Sequence, residues 1–471
     1  MTRFGISIPL TSSLLFLLAC EHTEEIPPDD EFPIQTVFKV EDFEPATECK
    51  SCHPTQYREW SGSMHAYAMK DPVWFTSHTN EQQHFAVEGD RDLGQFCIMC
   101  HSPVAFLTEA IEDPSSLTID DTSSLAPQVR EGIGCSFCHA TTHMSPTTEV
   151  AASGGDFEAI FYFLNTGNVK YGTLQDPIAN SAHESQYHPD YDKSEFCRGC
   201  HDMTIDGLDA EVTFTEWSGT AFQAMGVECQ TCHMQTYGGY AVDRELFPEA
   251  PLRENLHRHS FAGVDRALTA FRQEDAQLEA IEDLMKVTAE LNFQPSLPDT
   301  VLSGDTLQIS LIVTNSAGHS LPSGVTFARQ LWLEVTAVQE GDTLYESGFL
   351  NEDLDLYDFY LDPEGVIDPD ITVFRTVLYN AEGDSGLRHV SVERISHFTD
   401  NTIPAQGSKT VRYPVILDDA FEGIMDVNIR LRMRALPPFL LRELGHGEFV
   451  PRLTIFDIAA LSGSVTVRSG G

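Results

Sequence analysis

Basic residues are scarce in this chain of 471 residues. Lysine and arginine together number 28 against 72 aspartates and glutamates, a formal net charge of −44. That balance excludes nucleic acid as a natural partner, because phosphate backbones are bound through basic patches. Long apolar runs are also missing. After the first twenty residues no segment is long and apolar enough to span a bilayer as a helix. Cysteine is absent from everything beyond Cys232, so the C-terminal part is not stapled by disulfides. What remains is an acidic chain long enough for two or three domains.

The cysteines it does have are concentrated in one pattern. It occurs as Cys49-Lys-Ser-Cys52-His53, Cys97-Ile-Met-Cys100-His101, Cys135-Ser-Phe-Cys138-His139, Cys197-Arg-Gly-Cys200-His201 and Cys229-Gln-Thr-Cys232-His233. Cys-x-x-Cys-His is the attachment signature of c-type haem. Two thiols one helical turn apart each reach a haem vinyl, and the following histidine sits beneath the iron as proximal ligand. A zinc site also uses paired cysteines, but it does not demand a histidine directly after each pair. With the histidine present in all five pairs, the expectation is five covalently bound haem c groups, with His53, His101, His139, His201 and His233 as proximal ligands.

The five motifs use ten of the 11 cysteines. The eleventh, Cys20, follows a stretch that reads as a signal peptide over residues 1–19: Arg3, then an apolar run from Ile6 to Leu18, then Leu17-Leu-Ala19. Leu-Leu-Ala-Cys looks like the lipobox of bacterial lipoproteins, which makes Cys20 the expected lipidation site and the bacterial membrane a partner. An ordinary secretory signal ending beside a cysteine is the alternative. Either way the chain is expected outside the cytoplasm, in the periplasm or, by resemblance to sorted lipoproteins with Glu21 after the cysteine, at the outer membrane. Residues 20–39 then form an acidic, proline-containing tether.

Residues 40–265 carry all five motifs at irregular spacing, with few strand signals, and are expected to form a mostly helical or irregular haem domain. Within it Glu59-Trp-Ser-Gly-Ser-Met-His65 is echoed by Glu216-Trp-Ser-Gly-Thr-Ala-Phe222, so that Phe222, expected to pack on a porphyrin, stands where the first copy has His65. Leu278, Ile281, Leu284, Met285 and Leu291 recur at helical spacing, and 266–295 reads as a linking amphipathic helix. From 296 to 471 period-two alternation at 306–314, 330–337, 409–415, 426–433 and 464–467 predicts an antiparallel β-sandwich. The acidic run 351–370 reads as a solvated loop, with a calcium site as the competing reading.

The pieces Glu59-Trp with Met64-His65-Ala, Gly134-Cys-Ser-Phe-Cys-His139, Lys170-Tyr-Gly followed by His183-Glu-Ser, Glu195-Phe-Cys-Arg-Gly-Cys-His-Asp202, Glu216-Trp, Cys229-Gln-Thr-Cys-His-Met234, His259-Ser-Phe-Ala-Gly263 and Gly318-His-Ser-Leu-Pro-Ser-Gly324 occur in one order. In that order they resemble the cytochrome c554-like multihaem family, in its variants with a C-terminal immunoglobulin-like domain. The resemblance implies electron transfer through closely stacked haems, mostly with two histidines per iron. It singles out His65, His183, His259 and His319 as distal ligands, with His257 competing with His259. His319 follows the first strand of the β-domain, so as a ligand it would bolt that domain to the haems. For the fifth iron the choice is His143, which would share a helical face with His139 and serve a neighbouring haem. His78, His84 and His188 are rivals, Met64 and Met69 are thioether candidates, and an open position is the remaining option. His389 and His397 are expected to be structural or surface residues.

Distal ligation separates the functional readings. Closed irons make an electron carrier that exchanges electrons with redox partner proteins, basic ones if the acidic surface steers them. An open iron makes an oxidoreductase acting on a small nitrogen or sulfur compound, although no Cys-x-x-Cys-Lys variant marks a specialised catalytic haem. A polymerising wire is the third reading and needs a distal histidine from a neighbouring subunit.

Overall fold

The motif helices are short because each needs only the turn or two that carries its cysteines. The computed structural model describes residues 38–88, 95–150, 156–205, 208–358, 367–379, 397–419 and 421–469. The expected signal peptide, Cys20, most of the tether and His389 lie outside these, as does the side chain of His84. Four motifs lie within single helices, Phe96–His101, Cys135–Ala140, Glu195–His201 and Cys229–His233. The first straddles a break: Cys49 ends the helix Ala46–Cys49, and His53 immediately precedes Pro54–Ser61, whose Pro54 occupies a position that needs no N–H donor.

The haem region also contains a sheet that its sequence did not announce. Thr141–Val150 pairs antiparallel with Asp156–Leu164, and Met203–Ile205 and Leu208–Glu211 extend the pair to four strands. The Ile160-Phe-Tyr-Phe163 run favours a pleated, half-buried surface, and Ile160 and Tyr162 enter an apolar cluster with Met99 and Phe137.

The linking helix is shorter than expected, Glu274–Met285. Ile281 and Met285 bury against the β-core, but Leu291 is on a strand, Ala289–Phe293, which pairs with Leu311 to Asn315. Helical spacing alone cannot place Leu291, because the β-branched Val287 and Thr288 end the helix before it. The sandwich therefore starts ahead of residue 296.

Its three-stranded sheet runs in the order Ser408–Ile416, Thr306–Asn315, Ala289–Phe293. It faces a larger sheet ordered Thr300–Leu302, Phe456–Arg468, Gly423–Arg434, Gln330–Gln339, Asp342–Ser347. Leu307, Ile309, Leu311 and Val313 from one sheet share a core with Val427, Ile429, Leu431 and Val335 from the other. Each such side chain is worth about 1.5–3 kcal/mol when fully buried. The pairings are antiparallel except that Thr300–Leu302 runs parallel to the last strand. The architecture is thus a mostly helical motif-bearing region followed by a β-sandwich, and residues 38–471 form one compact unit.

The acidic run is solvated only in part: Glu352 and Asp353 are exposed, but other carboxylates are held by protein donors. Asp355 accepts from the Phe439 N–H and from Arg442, Asp358 pairs with Arg375 at 2.9 Å, and Asp368 accepts from Ser347 Oγ and the Gly348 N–H. These carboxylates are engaged by protein donors instead of a cation. His397 stacks on Tyr379 in a two-stranded ribbon, a structural place.

Candidate haem centres

Among the described residues no three or more His, Cys, Asp or Glu side chains converge as a metal ion would require. Between motifs the thiols come in neighbouring sets. Cys49 and Cys135 lie close enough to shift each other's ionisation, as do Cys197 and Cys229, and Cys100 and Cys200. The first motif is therefore beside the third, the fourth beside the fifth, and the second beside the fourth.

Three motif histidines each face one remote histidine. The ring centroids of His53 and His183 are 6.2 Å apart with planes 28° from parallel, those of His139 and His259 6.3 Å and 26°, and those of His233 and His319 6.2 Å and 22°. A metal–imidazole bond is about 2 Å and the nitrogen lies about 1 Å from the ring centre, so two imidazoles sharing one metal have centroids about 6 Å apart. The spacing fits an iron between each pair and is wide for direct ring packing.

The second nitrogen of each ring is committed elsewhere. Nδ1–H of His53, His139 and His233 donates to the carbonyls of Ala241, Tyr171 and Ala262 at 2.7, 2.6 and 2.6 Å. Nδ1–H of His183, His259 and His319 donates to Glu184, His257 and Ser320 carbonyls at 3.1, 2.9 and 2.9 Å. A carbonyl on Nδ1 fixes the tautomer that leaves Nε2 as a lone-pair donor and orients the ring, the arrangement usual behind metal-bound histidine. Burial also pushes His53, His139, His233 and His259 towards the neutral form that ligates metals, His233 down to about 4 and His259 to about 3.

His65 is partly buried, and its electrostatic neighbours among the motif histidines are His201 and His233. Burial lowers its pKa to about 3, and among motif histidines His201 contributes the larger electrostatic effect, ahead of His233. Its ring packs on Phe261 at 4.3 Å. Phe222, its counterpart in the echo, packs against Gly318 in the loop that presents His319, not in a ligand position.

The second motif differs. The His101 ring stacks on Trp74 at 4.6 Å, and Trp74 stacks on His78 at 5.2 Å, so the indole neighbours both imidazoles. Nε2–H of His78 donates to the Pro114 carbonyl at 2.8 Å, while its buried Nδ1 has no hydrogen-bond partner. His101 Nδ1 faces the Ala68 backbone without a well-formed hydrogen bond.

His143 is not on a helix with His139. It sits on the strand Thr141–Val150, its side chain half exposed, with Nδ1 3.0 Å from Asp190 and its ring against Phe163. The helix stops at Ala140 because the following threonines pair in the hairpin, so the shared-face reasoning fails. His188 accepts from the Asp190 N–H, and His257 is held by the Met234 carbonyl and lies near Asp192. Met69 is fully buried in the apolar cluster with Phe43 and Phe75, a packing role.

Residues 48–140, covering the first three motifs, match the family described as cytochrome c554 and c-prime. No curated protein matches the chain. A crystal structure of a penta-heme cytochrome c552 from Thermochromatium tepidum is similar over 91% of this chain and 100% of that one, at 18% identity and a TM-score of 0.58. At that identity the likeness shows the fold. A CARDB domain from Pyrococcus furiosus aligns with 38% of this chain and 86% of its own length at 9% identity, but its TM-score of 0.17 carries no weight.

Proposed function

We propose that this chain, a multihaem cytochrome c, is an exported electron carrier whose five haems are mainly closed by two histidines each. A haem held by two neutral imidazoles is low-spin and exchanges electrons with little rearrangement. The observation that carries the reading is the set of three imidazole pairs at 6.2–6.3 Å with every Nδ1 engaged by a backbone carbonyl. We assign His183 to the first motif, His259 to the third, His65 to the fourth and His319 to the fifth. The backbone carbonyls hold the rings in place in both oxidation states, which keeps reorganisation small.

The neighbouring thiol sets support a relay from the first motif through the third to the fourth and fifth, with the second motif joining at the fourth. Lipidation of Cys20 would tether this relay to a bacterial membrane, consistent with no described helix being long and apolar enough to cross one. The acidic composition favours basic redox partner proteins.

A second reading, an oxidoreductase with an open iron, has one observation in its favour. His101 has an indole beside it, where three other motif histidines have a facing imidazole. Electron paramagnetic resonance of the oxidised full-length protein separates the two. The carrier reading expects low-spin ferric haem only. A stoichiometric high-spin signal that responds to nitrite or hydroxylamine would refute it in favour of the second.

A further inference from the structure

The repeated Glu-Trp-Ser-Gly segment performs the same set of contacts in both copies. After Trp60, Ser63 Oγ donates to the Trp60 carbonyl at 2.7 Å and caps the next helix by accepting from the Ala66 N–H at 3.4 Å. After Trp217, Thr220 Oγ1 donates to the Trp217 carbonyl at 2.7 Å and accepts from the Gln223 N–H at 3.4 Å. The local fold is thus one unit used twice, and its polar groups reach outward in the same two directions.

In the first direction each indole grips the chain just ahead of a haem motif. Trp60 Nε1–H donates to the Ile133 carbonyl at 2.8 Å, and Trp217 Nε1–H to the Val227 carbonyl at 3.0 Å. Ile133 stands two residues before Cys135, and Val227 two residues before Cys229. In the second direction each carboxylate grips the backbone at a remote histidine. Glu59 Oε2 accepts from the His259 N–H at 3.0 Å, with Arg258 on the other oxygen. Glu216 Oε2 accepts from the Ser320 N–H at 3.2 Å and from Ser323 Oγ. Both tryptophans are buried, and the Glu59 side chain is nearly so.

The two grips of each unit converge on one imidazole pair. His139 belongs to the motif that Trp60 holds, and its facing ring is His259, which Glu59 holds. His233 belongs to the motif that Trp217 holds, and its facing ring is His319, beside the backbone Glu216 holds. A carboxylate and an indole that served packing alone would have no reason to select the two sides of the same pair, and to do so twice.

We infer that Glu59-Trp60 and Glu216-Trp217 are two copies of one positioning device, each fixing the proximal motif and the distal histidine loop of a single haem, the third and the fifth respectively. The inference rests on the pairing proposed above. Neither glutamate touches an iron position. Each acts through the backbone that carries a ligand, the way outer groups tune a metal centre.

The test uses full-length, haem-loaded protein and counts carbon monoxide bound by the ferrous form, with the ferric spin state read in parallel. His259→Ala and His319→Ala come first, and each should add one carbon-monoxide-binding haem over the parent. Glu59→Ala and Glu216→Ala should then each open one haem, and the double variant two. Glu59→Gln and Glu216→Gln, which keep an acceptor oxygen, should stay low-spin. If the histidine variants open a haem and the glutamate variants do not, the device is refuted and the pairing stands. If the histidine variants open none, both fall. Should an alanine variant fail to accumulate, Trp60→Phe and Trp217→Phe remove the indole N–H while keeping an aromatic ring in place. Each should shift the midpoint potential of one haem, and no shift in either would refute the device.

Discussion

Arg329 and Asp265 form a bidentate polar link between the motif-bearing region and the sandwich, and breaking it should be costly. The guanidinium meets the carboxylate through two parallel bonds of 2.6 and 2.7 Å, and Nη1 also donates to the Ala435 carbonyl at 3.1 Å. Burial works against the Arg329 charge, but the Asp265 carboxylate, with Glu211 and Asp71 behind it, more than offsets burial, so the guanidinium stays above its ordinary pKa. The Arg329 side chain is 14% exposed and Asp265 36%. Removing one partner of a fully buried pair costs about 3–5 kcal/mol because the other charge is left uncompensated. The exposure of Asp265 lowers that, so Asp265→Ala should cost about 2–4 kcal/mol. Replacing both, Asp265→Ala with Arg329→Met, should recover more than half of the loss, since no unpaired charge remains. The assay is guanidinium denaturation followed by far-ultraviolet circular dichroism, with haem absorbance as a second probe. A single-variant loss below about 1 kcal/mol, or a double variant no more stable than the single one, would refute the reasoning.

Two further outcomes follow from charge. Burial raises the Glu131 carboxyl from 4.5 to about 7, against the lowering effects of the Ala46 N–H and Lys70. The folded state then holds this proton more tightly than the unfolded one. Its contribution is fully present below pH 4.5, fades between 4.5 and 7, and costs up to about 3 kcal/mol above that. Glu131→Gln should flatten this part of the stability profile, and an unchanged slope between pH 4.5 and 7 would count against it. Lys70, lowered by burial to about 8, acts only at higher pH and does not obscure the window. Second, the net charge of −44 should make reduction by a basic electron donor slow down as salt rises from 10 to 200 mM, a range in which the screening length drops from about 30 Å to under 10 Å. A salt-independent bimolecular rate in stopped-flow would exclude electrostatic steering.

Much of the site can be read from the chain itself, because haem attachment is a local requirement: two thiols and an imidazole within five residues. The strands at 306–314 and 426–433 are equally legible, since their alternation is the burial pattern itself. What depends on distant pairing is not. His143 looks helical from its spacing to His139, yet a hairpin partner beyond residue 155 claims it. Leu291 fits a helical stripe and is taken by the strand 306–315. Several carboxylates of 351–370 look solvated until Arg375, Arg442 and the Gly348 N–H arrive from elsewhere. Trp74 carried no signal linking it to His101. The echo at 59 and 216 was visible, but its meaning required knowing which backbone each copy touches.

The facing histidines have an uneven chain order with consequences for how the protein matures. Under the proposed pairing, His183, His259 and His319 all lie downstream of the motifs they complete, by 130, 120 and 86 residues. His65 alone precedes its partner. In a chain exported N-terminus first, these three attachment sites would emerge ahead of their second histidine. Those haems pass through a stage exposed to exogenous ligands, and the fifth leaves it last, when the first strands of the sandwich have formed. A chain cut short before His319 would carry all its haems and still hold one iron unfinished.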